Sequence, residues 1–210
     1  MILYNYSLSS AAYRVRIALA VKDIAVTTVT ESLRDNEHQR EEFLRINPQG
    51  FVPALGLDNG STLTQSLAII EYLDETHPEP PLLPKEPVAR ARVRAFAQTI
   101  ACDIHPLNNL RVLRYLEGTL GQDRVGRDRW YGHWIRAGFE AMERSLTSHA
   151  GRFSFGDAVT MADVCLVPQV FNARRFSVDI DAFPQILRID AACRELPAFQ
   201  GAAPQGQSGG

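Results

Sequence analysis

Short apolar runs and helical spacings alternate along the first third of the chain. Ile2 to Tyr6 is a brief apolar run that reads as a buried strand. Ala11 to Val21 places apolar side chains at Val15, Ile17, Ala18, Leu19 and Val21 behind two serines, and reads as a helix starting near Ser9 and Ser10. Ala25 to Thr30 is β-branched and reads as a strand. Glu37 to Ile46 has the pattern of a polar, amphipathic helix, broken by Asn47-Pro48-Gln49-Gly50. Val52-Pro53-Ala54-Leu55 opens another strand, Asp58-Asn59-Gly60-Ser61 makes a hairpin turn, and Thr62 to Thr64 returns beside it. Ser66 to Glu75 then has mixed helical spacing.

The resulting order, βαβαββα, is that of a thioredoxin-like domain, with four strands in one sheet and helices on its faces. His77-Pro78-Glu79-Pro80-Pro81-Leu82-Leu83-Pro84 cannot continue a helix and marks a domain boundary. Beyond it strand patterns nearly vanish. Helical stretches are expected from about Val88 to Leu120, Arg124 to Ser148, Ala162 to Arg175 and Pro184 to Glu195. The expected fold class is therefore α/β plus all-α: a thioredoxin-like domain over residues 1–79 and a helical bundle over 87–202. The small, polar residues 203–210 are expected to form a disordered tail.

Composition narrows the function classes. The 210 residues, 45% of them hydrophobic, suffice for one large or two smaller cores. A net charge of -2 gives no sign of a nucleic-acid partner, which draws a strongly basic face. The three cysteines, Cys102, Cys165 and Cys193, are far apart and form no C-x-x-C pair, which argues against a disulfide framework or a zinc site. A reducing, cytoplasmic compartment fits this usage. Met1 to Ser10 lacks the pattern of a signal peptide, and no run of 18 apolar residues would cross a membrane.

Three segments of the first domain carry chemistry. In Ser9-Ser10-Ala11-Ala12-Tyr13-Arg14-Val15-Arg16-Ile17-Ala18-Leu19, two hydroxyls stand where a strand hands over to a helix, beside unpaired amides and a positive dipole end. A hydroxyl donating to a sulfur there favours thiolate over thiol; the same serines also suit ordinary helix caps. In Asn47-Pro48-Gln49-Gly50-Phe51-Val52-Pro53-Ala54-Leu55, a proline turn precedes a strand. In Leu63-Thr64-Gln65-Ser66-Leu67-Ala68-Ile69-Ile70-Glu71-Tyr72-Leu73, Ser66 opens a helix whose start favours an anion.

The first segment is similar to the zeta-class glutathione transferase signature S-S-C-x-[WH]-R-V-R-I-A-L. The other two resemble that superfamily's N-P-x-x-x-V-P-x-L and [QE]-S-x-A-I-[IL]-x-Y-L elements. The resemblance implies glutathione as a recycled cofactor, with Ser9 holding its thiolate and Ser10 as helper. It implies a cis bond between Val52 and Pro53, with the Val52 peptide groups pairing with the cysteinyl residue in the manner of strand addition. It also implies Gln49 as a side-chain contact, and Gln65 and Ser66 as partners of the γ-glutamyl end. Two positions depart: Leu8 replaces an arginine that would clamp a carboxylate, and Ala11 replaces the signature cysteine, which removes a nucleophile.

In the helical half, Cys102 to Leu113 resembles the D-I-H-P-x-N-N-x-R-x-L stretch of maleylacetoacetate and maleylpyruvate isomerases, and Asn172 to Asp179 their N-A-x-R-F-x-V-D element. The resemblance makes His105, Asn109 and Arg111 candidates for lining a second-substrate pocket, with His105 and Asn109 also candidate glutathione contacts. It makes Arg175 the partner of a substrate carboxylate. Four apart, His105 and Asn109 are expected to share a helix face, while His105 and Arg111 also suit a polar cluster between helices. Arg174 is expected on the surface or in a salt bridge. Thr160-Met161-Ala162-Asp163 reads as a structural capping box. The implied activity is cis–trans isomerisation of a carboxylate-bearing enone by thiolate addition, rotation and elimination, in a homodimer without a metal. A glutathione-conjugating transferase and a non-catalytic binding protein of the same fold are the alternatives.

Overall fold

In the computed structural model, which describes residues 1–204, four strands form one sheet in the order β2-β1-β3-β4. Strand β1 (Ile2–Asn5) runs parallel to β2 (Thr27–Thr30), reached through α1 (Ser10–Val21), and antiparallel to β3 (Ala54–Gly56). Helix α2 (Glu41–Ile46) leads to β3, which makes a hairpin with β4 (Thr62–Thr64); α3 (Ser66–Thr76) follows. The expected order is thus present. Leu3, Val15, Ile17, Leu55, Ile69, Ile70 and Leu73 are buried between sheet and helices, as the apolar burial that drives such layering requires.

The chain divides into two compact units, and the division differs from the one expected. One unit joins Met1–Leu82 to the residues from Arg194 onward; the other is Leu83–Cys193. The difference lies in α9 (Pro197–Ala202), which the apolar spacing does not reveal and which packs on α1 rather than belonging to the helical half. Arg16 Nε donates to the Ala202 carbonyl at 2.9 Å and the Tyr13 hydroxyl to the Phe199 carbonyl at 3.5 Å. Pro204 is buried, so the expected tail does not begin at 203; residues 205–210 of that expectation lie outside the described residues.

The Leu83–Cys193 unit is helical. Its elements are α4 (Pro87–Gln98), α5 (Leu110–Gly118), α6 (Arg124–Leu146), α7 (Met161–Arg175) and the body of α8 (Pro184–Arg194). The single stretch expected from Val88 to Leu120 is four pieces. Residues Thr99–Ile104 wind as a π-helix, with the His105 amide donating to the Ile100 carbonyl, and Pro106–Asn108 is a 3-10 turn. Pro106 lacks the amide that would continue the ladder, and Asn109 restarts the helix by accepting from the Arg111 amide at 3.1 Å. Helix α7 starts at the expected capping box: the Asp163 carboxylate accepts from the Thr160 amide at 2.8 Å and hydroxyl at 3.0 Å, and from the Ser154 amide at 2.8 Å. Among the described residues, no helix is long and apolar enough to cross a membrane.

Candidate functional site

Ser9 is the N-cap of α1. Its hydroxyl accepts from the Ala12 amide at 3.2 Å, and its own amide donates to the Tyr6 carbonyl at 3.0 Å. Capping and chemistry are compatible here, because a hydroxyl that accepts a hydrogen bond still has a proton to donate. Ser9 is half-buried, whereas Ser10, the first helical residue, is buried.

Arg16 fixes the approach to Ser9. One terminal nitrogen of its guanidinium donates to Asn5 Oδ1 at 2.6 Å and to the Tyr6 carbonyl at 3.4 Å, and the other to the Ser7 carbonyl at 3.0 Å. Burial brings its pKa down from 12.5 to about 10, opposed by Tyr13, which leaves it charged at neutral pH. Its carbonyl partners are the backbone of the turn just before Ser9. Position in the signature gives no hint of this role; the signal is an arginine on an otherwise apolar helix face.

The second segment is folded by Asn47, which the sequence pattern marks as the start of a turn without showing its bonding role. Its side-chain amide donates to the Phe51 carbonyl at 2.7 Å, its side-chain oxygen accepts from the Gln49 amide at 3.1 Å, and its backbone carbonyl accepts from the Gly50 amide at 2.9 Å. Gly50 has φ +62° and lies against the His38 carbonyl and the Gln39 side chain, where a Cβ would collide. The loop leads to the Val52–Pro53 bond, which is cis. Val52 is buried, and among the described residues nothing bonds to its amide or carbonyl. A buried peptide group without a partner is costly, and an extended peptide laid alongside would supply both bonds.

Ser66 is the first residue of α3 and is buried; among the described residues no group accepts from its amide. Gln65 before it has φ +68°, a sparsely populated conformation for a residue with a side chain. Its carbonyl accepts from the Ile69 amide at 3.0 Å and keeps a second lone pair. The Gln65 side-chain amide donates to Gln49 Oε1 at 3.0 Å. Two residues assigned to glutathione from separate motifs are thus in contact. Thiolate, peptide edge and carboxylate each find a matching group in this unit: the Ser9 hydroxyl, the Val52 peptide groups and the Ser66 helix start. The residues present fit a γ-glutamyl tripeptide.

In the helical unit, His105 ends the π-turn, Asn109 caps α5, and Arg111 lies exposed in the first turn of α5. The shared helix face expected for His105 and Asn109 is not present, because the 3-10 turn at Pro106 separates them. Arg175, exposed in the last turn of α7, has its guanidinium carbon 5.4 Å from the Phe176 ring centre, and Phe176 stacks on Tyr131 at 3.9 Å. Burial raises the Tyr131 phenol above its usual range, and the Arg175 charge opposes that rise. Tyr131 was not singled out by spacing, since nothing in its neighbourhood marks it. Arg174 donates to Asp190 at 2.7 Å, the salt bridge expected of it.

The model of the glutathione S-transferase N-terminal domain matches residues 1–75. The maleylpyruvate isomerase of a Ralstonia species is 49% identical over 210 residues, covering 99% of this chain and 98% of that protein. The holo structure of a maleyl pyruvate isomerase, a bacterial glutathione-S-transferase in Zeta class, is 48% identical with a TM-score of 0.96 and 99% of each chain covered. The chain belongs to the zeta-class glutathione transferases, in the maleylacetoacetate and maleylpyruvate isomerase family. A further relative, the maleylacetoacetate isomerase of Methylobacterium extorquens, was solved with bound malonate and glutathione; it is 42% identical, with a TM-score of 0.95 and 99% and 98% of the two chains covered. Within this zeta-class chain, the half-buried Leu8 and Ala11 flank the serine pair on either side.

Proposed function

We propose that this protein is a glutathione-dependent isomerase converting a cis-enone that bears a carboxylate, such as maleylpyruvate or maleylacetoacetate, to its trans isomer. The observation that carries the reading is the Ser9 hydroxyl at the start of α1, in the same unit as the buried Val52 and the Ser66 helix start. Relatives across the whole chain length named as these isomerases support it, as does one solved with glutathione and a small dicarboxylate.

Bound glutathione supplies a thiolate that adds reversibly to the double bond, so that rotation about the resulting single bond becomes possible. Ser9 donates to the sulfur and holds it anionic at the positive end of α1; Ser10 helps to shape that helix start. Val52 pairs with the cysteinyl residue, Gln65 and Ser66 hold the γ-glutamyl end, and Gln49 makes a side-chain contact to the tripeptide. Arg175 takes the substrate carboxylate with its planar fork. His105, Asn109 or Arg111 supplies a donor to the charge that gathers on the carbonyl oxygen during addition. The protein works as a homodimer in the cytoplasm.

The test is incubation with maleylpyruvate and glutathione while the enone absorbance is followed. Turnover that requires glutathione and yields a product of unchanged mass is expected. A product heavier by one glutathione would instead establish the conjugating reading. Binding of glutathione without turnover of any electrophile would establish a non-catalytic protein.

A further inference from the structure

Arg14 is among the largest fully buried side chains of the protein, at 1% exposure. A guanidinium stays charged in any protein interior, so a permanent positive charge lies inside the first unit. It sits on α1 one turn below Ser10, and its terminal nitrogen donates to Ser66 Oγ, at the start of α3, at 3.2 Å. One side chain therefore ties together the two helix N-termini that the proposed function assigns to the thiolate and to the γ-glutamyl carboxylate. Helix stability does not explain the placement, because a cation near the positive end of a helix dipole is unfavourable to the helix itself. It does favour an anion bound there.

We propose that Arg14 is a positioning residue for the γ-glutamyl carboxylate of glutathione, an inference that rests on the glutathione reading above. By donating to Ser66 Oγ, Arg14 makes that oxygen an acceptor on its inner side. The hydroxyl proton is then the remaining donor, aimed with the Ser66 amide at the ligand. The strained backbone at Gln65 sets the start of α3, and Arg14 sets the rotamer of its first side chain.

The experiment compares wild type, Arg14→Lys, Arg14→Met, Ser66→Ala and the Arg14→Lys/Ser66→Ala double variant. Each is checked for fold by circular dichroism. Binding is titrated calorimetrically with glutathione and with cysteinylglycine, which lacks the γ-glutamyl group, and turnover is measured over glutathione concentration. In Arg14→Lys the KM for glutathione is expected to rise roughly tenfold, as the loss of one charge-assisted hydrogen bond requires, with kcat at saturating glutathione retained. Cysteinylglycine binding should not distinguish Arg14→Lys from wild type, and the double variant should be no weaker than Ser66→Ala alone. An unchanged KM in folded Arg14→Lys, or equal losses for both thiols, overturns the proposal and leaves Arg14 a packing residue. Should Arg14→Met fail to fold, Arg14→Lys and the double variant decide alone. Wild type without affinity for glutathione removes the glutathione reading itself, and this inference with it.

Discussion

The Lys22 ammonium and the Asp74 carboxylate are paired at 2.8 Å, with the lysine side chain fully buried and the aspartate 7% exposed. The same ammonium donates to the carbonyls of His77 at 2.7 Å and Pro80 at 2.9 Å, and the same carboxylate oxygen accepts from the Leu82 amide at 2.7 Å. Three acceptors match the three protons of a lysine. The proline-rich segment after α3 is therefore held by a complete polar network rather than by apolar packing alone.

Removing one member of such a pair leaves the other charge buried and uncompensated. Lys22→Met is expected to cost about 3–5 kcal/mol, and in a chain of this size that corresponds to a Tm lower by roughly 10 °C. Asp74→Leu should cost a similar amount, and the double variant less than the two added together. Calorimetric melting checks all three; single variants that melt like wild type would show that the network contributes nothing.

The apolar pattern made the first unit legible because strands and helices there are short and each is punctuated by its own turn residues. It was the long-range polar contacts that left no trace. Arg14, Arg16 and Lys22 all lie in or just after a helix read correctly, yet their partners come from α3, α9 and the proline segment. Helix α9 went unseen for the same reason: the bonds that recruit it span 186 residues of sequence. In the helical half the error was one of winding. The apolar positions from Val88 to Leu120 suit a continuous helix, but Pro106 stops the ladder and the turns before it widen to π. That single break moved His105 and Asn109 off a common face.

Asp163 yields a prediction with a sign. Burial raises its carboxyl above the ordinary 3.8, outweighing the hydrogen bonds it accepts, so the folded protein holds this proton more tightly than the unfolded chain does. The associated stability is fully present below the unfolded value and is lost as pH rises through the folded one. Asp163→Asn removes the titration and leaves a buried amide of Ser154 or Thr160 without its acceptor, at a cost of about 1–3 kcal/mol. Urea unfolding at several pH values should show the gap between wild type and variant narrowing as pH rises. A gap that widens contradicts the burial argument.

Thiol titration should see one cysteine. Cys102 is exposed, whereas Cys165 and Cys193 are buried. Burial, with Asp163 and Asp190 nearby, also drives the Cys193 thiol far above its usual range. A colorimetric disulfide reagent is expected to modify one thiol per folded chain and all three after unfolding. Cys102→Ser should remove the fast phase entirely. With alanine at position 11, no fast thiol should remain beside Ser9 to form a mixed disulfide with glutathione.

Leu8 offers the sharpest test of substrate recognition, because its backbone is already rigid. The turn that carries it is pinned on one side by Arg16 donating to the Ser7 carbonyl and on the other by the Ser9 amide donating to the Tyr6 carbonyl. An arginine introduced at position 8 therefore costs little backbone ordering, and it presents a second fork for a carboxylate next to Ser9. Leu8→Arg is expected to raise kcat/KM for a dicarboxylic enone by roughly tenfold, the value of one charge-assisted pair at a partly exposed position. A monocarboxylic enone of the same reactivity should gain nothing, since it has no second carboxylate to place. Paired measurements of the two substrates separate recognition from general electrostatic attraction: equal gains for both would assign the effect to the field of the added charge, and no gain for either would mean that position 8 does not face the substrate.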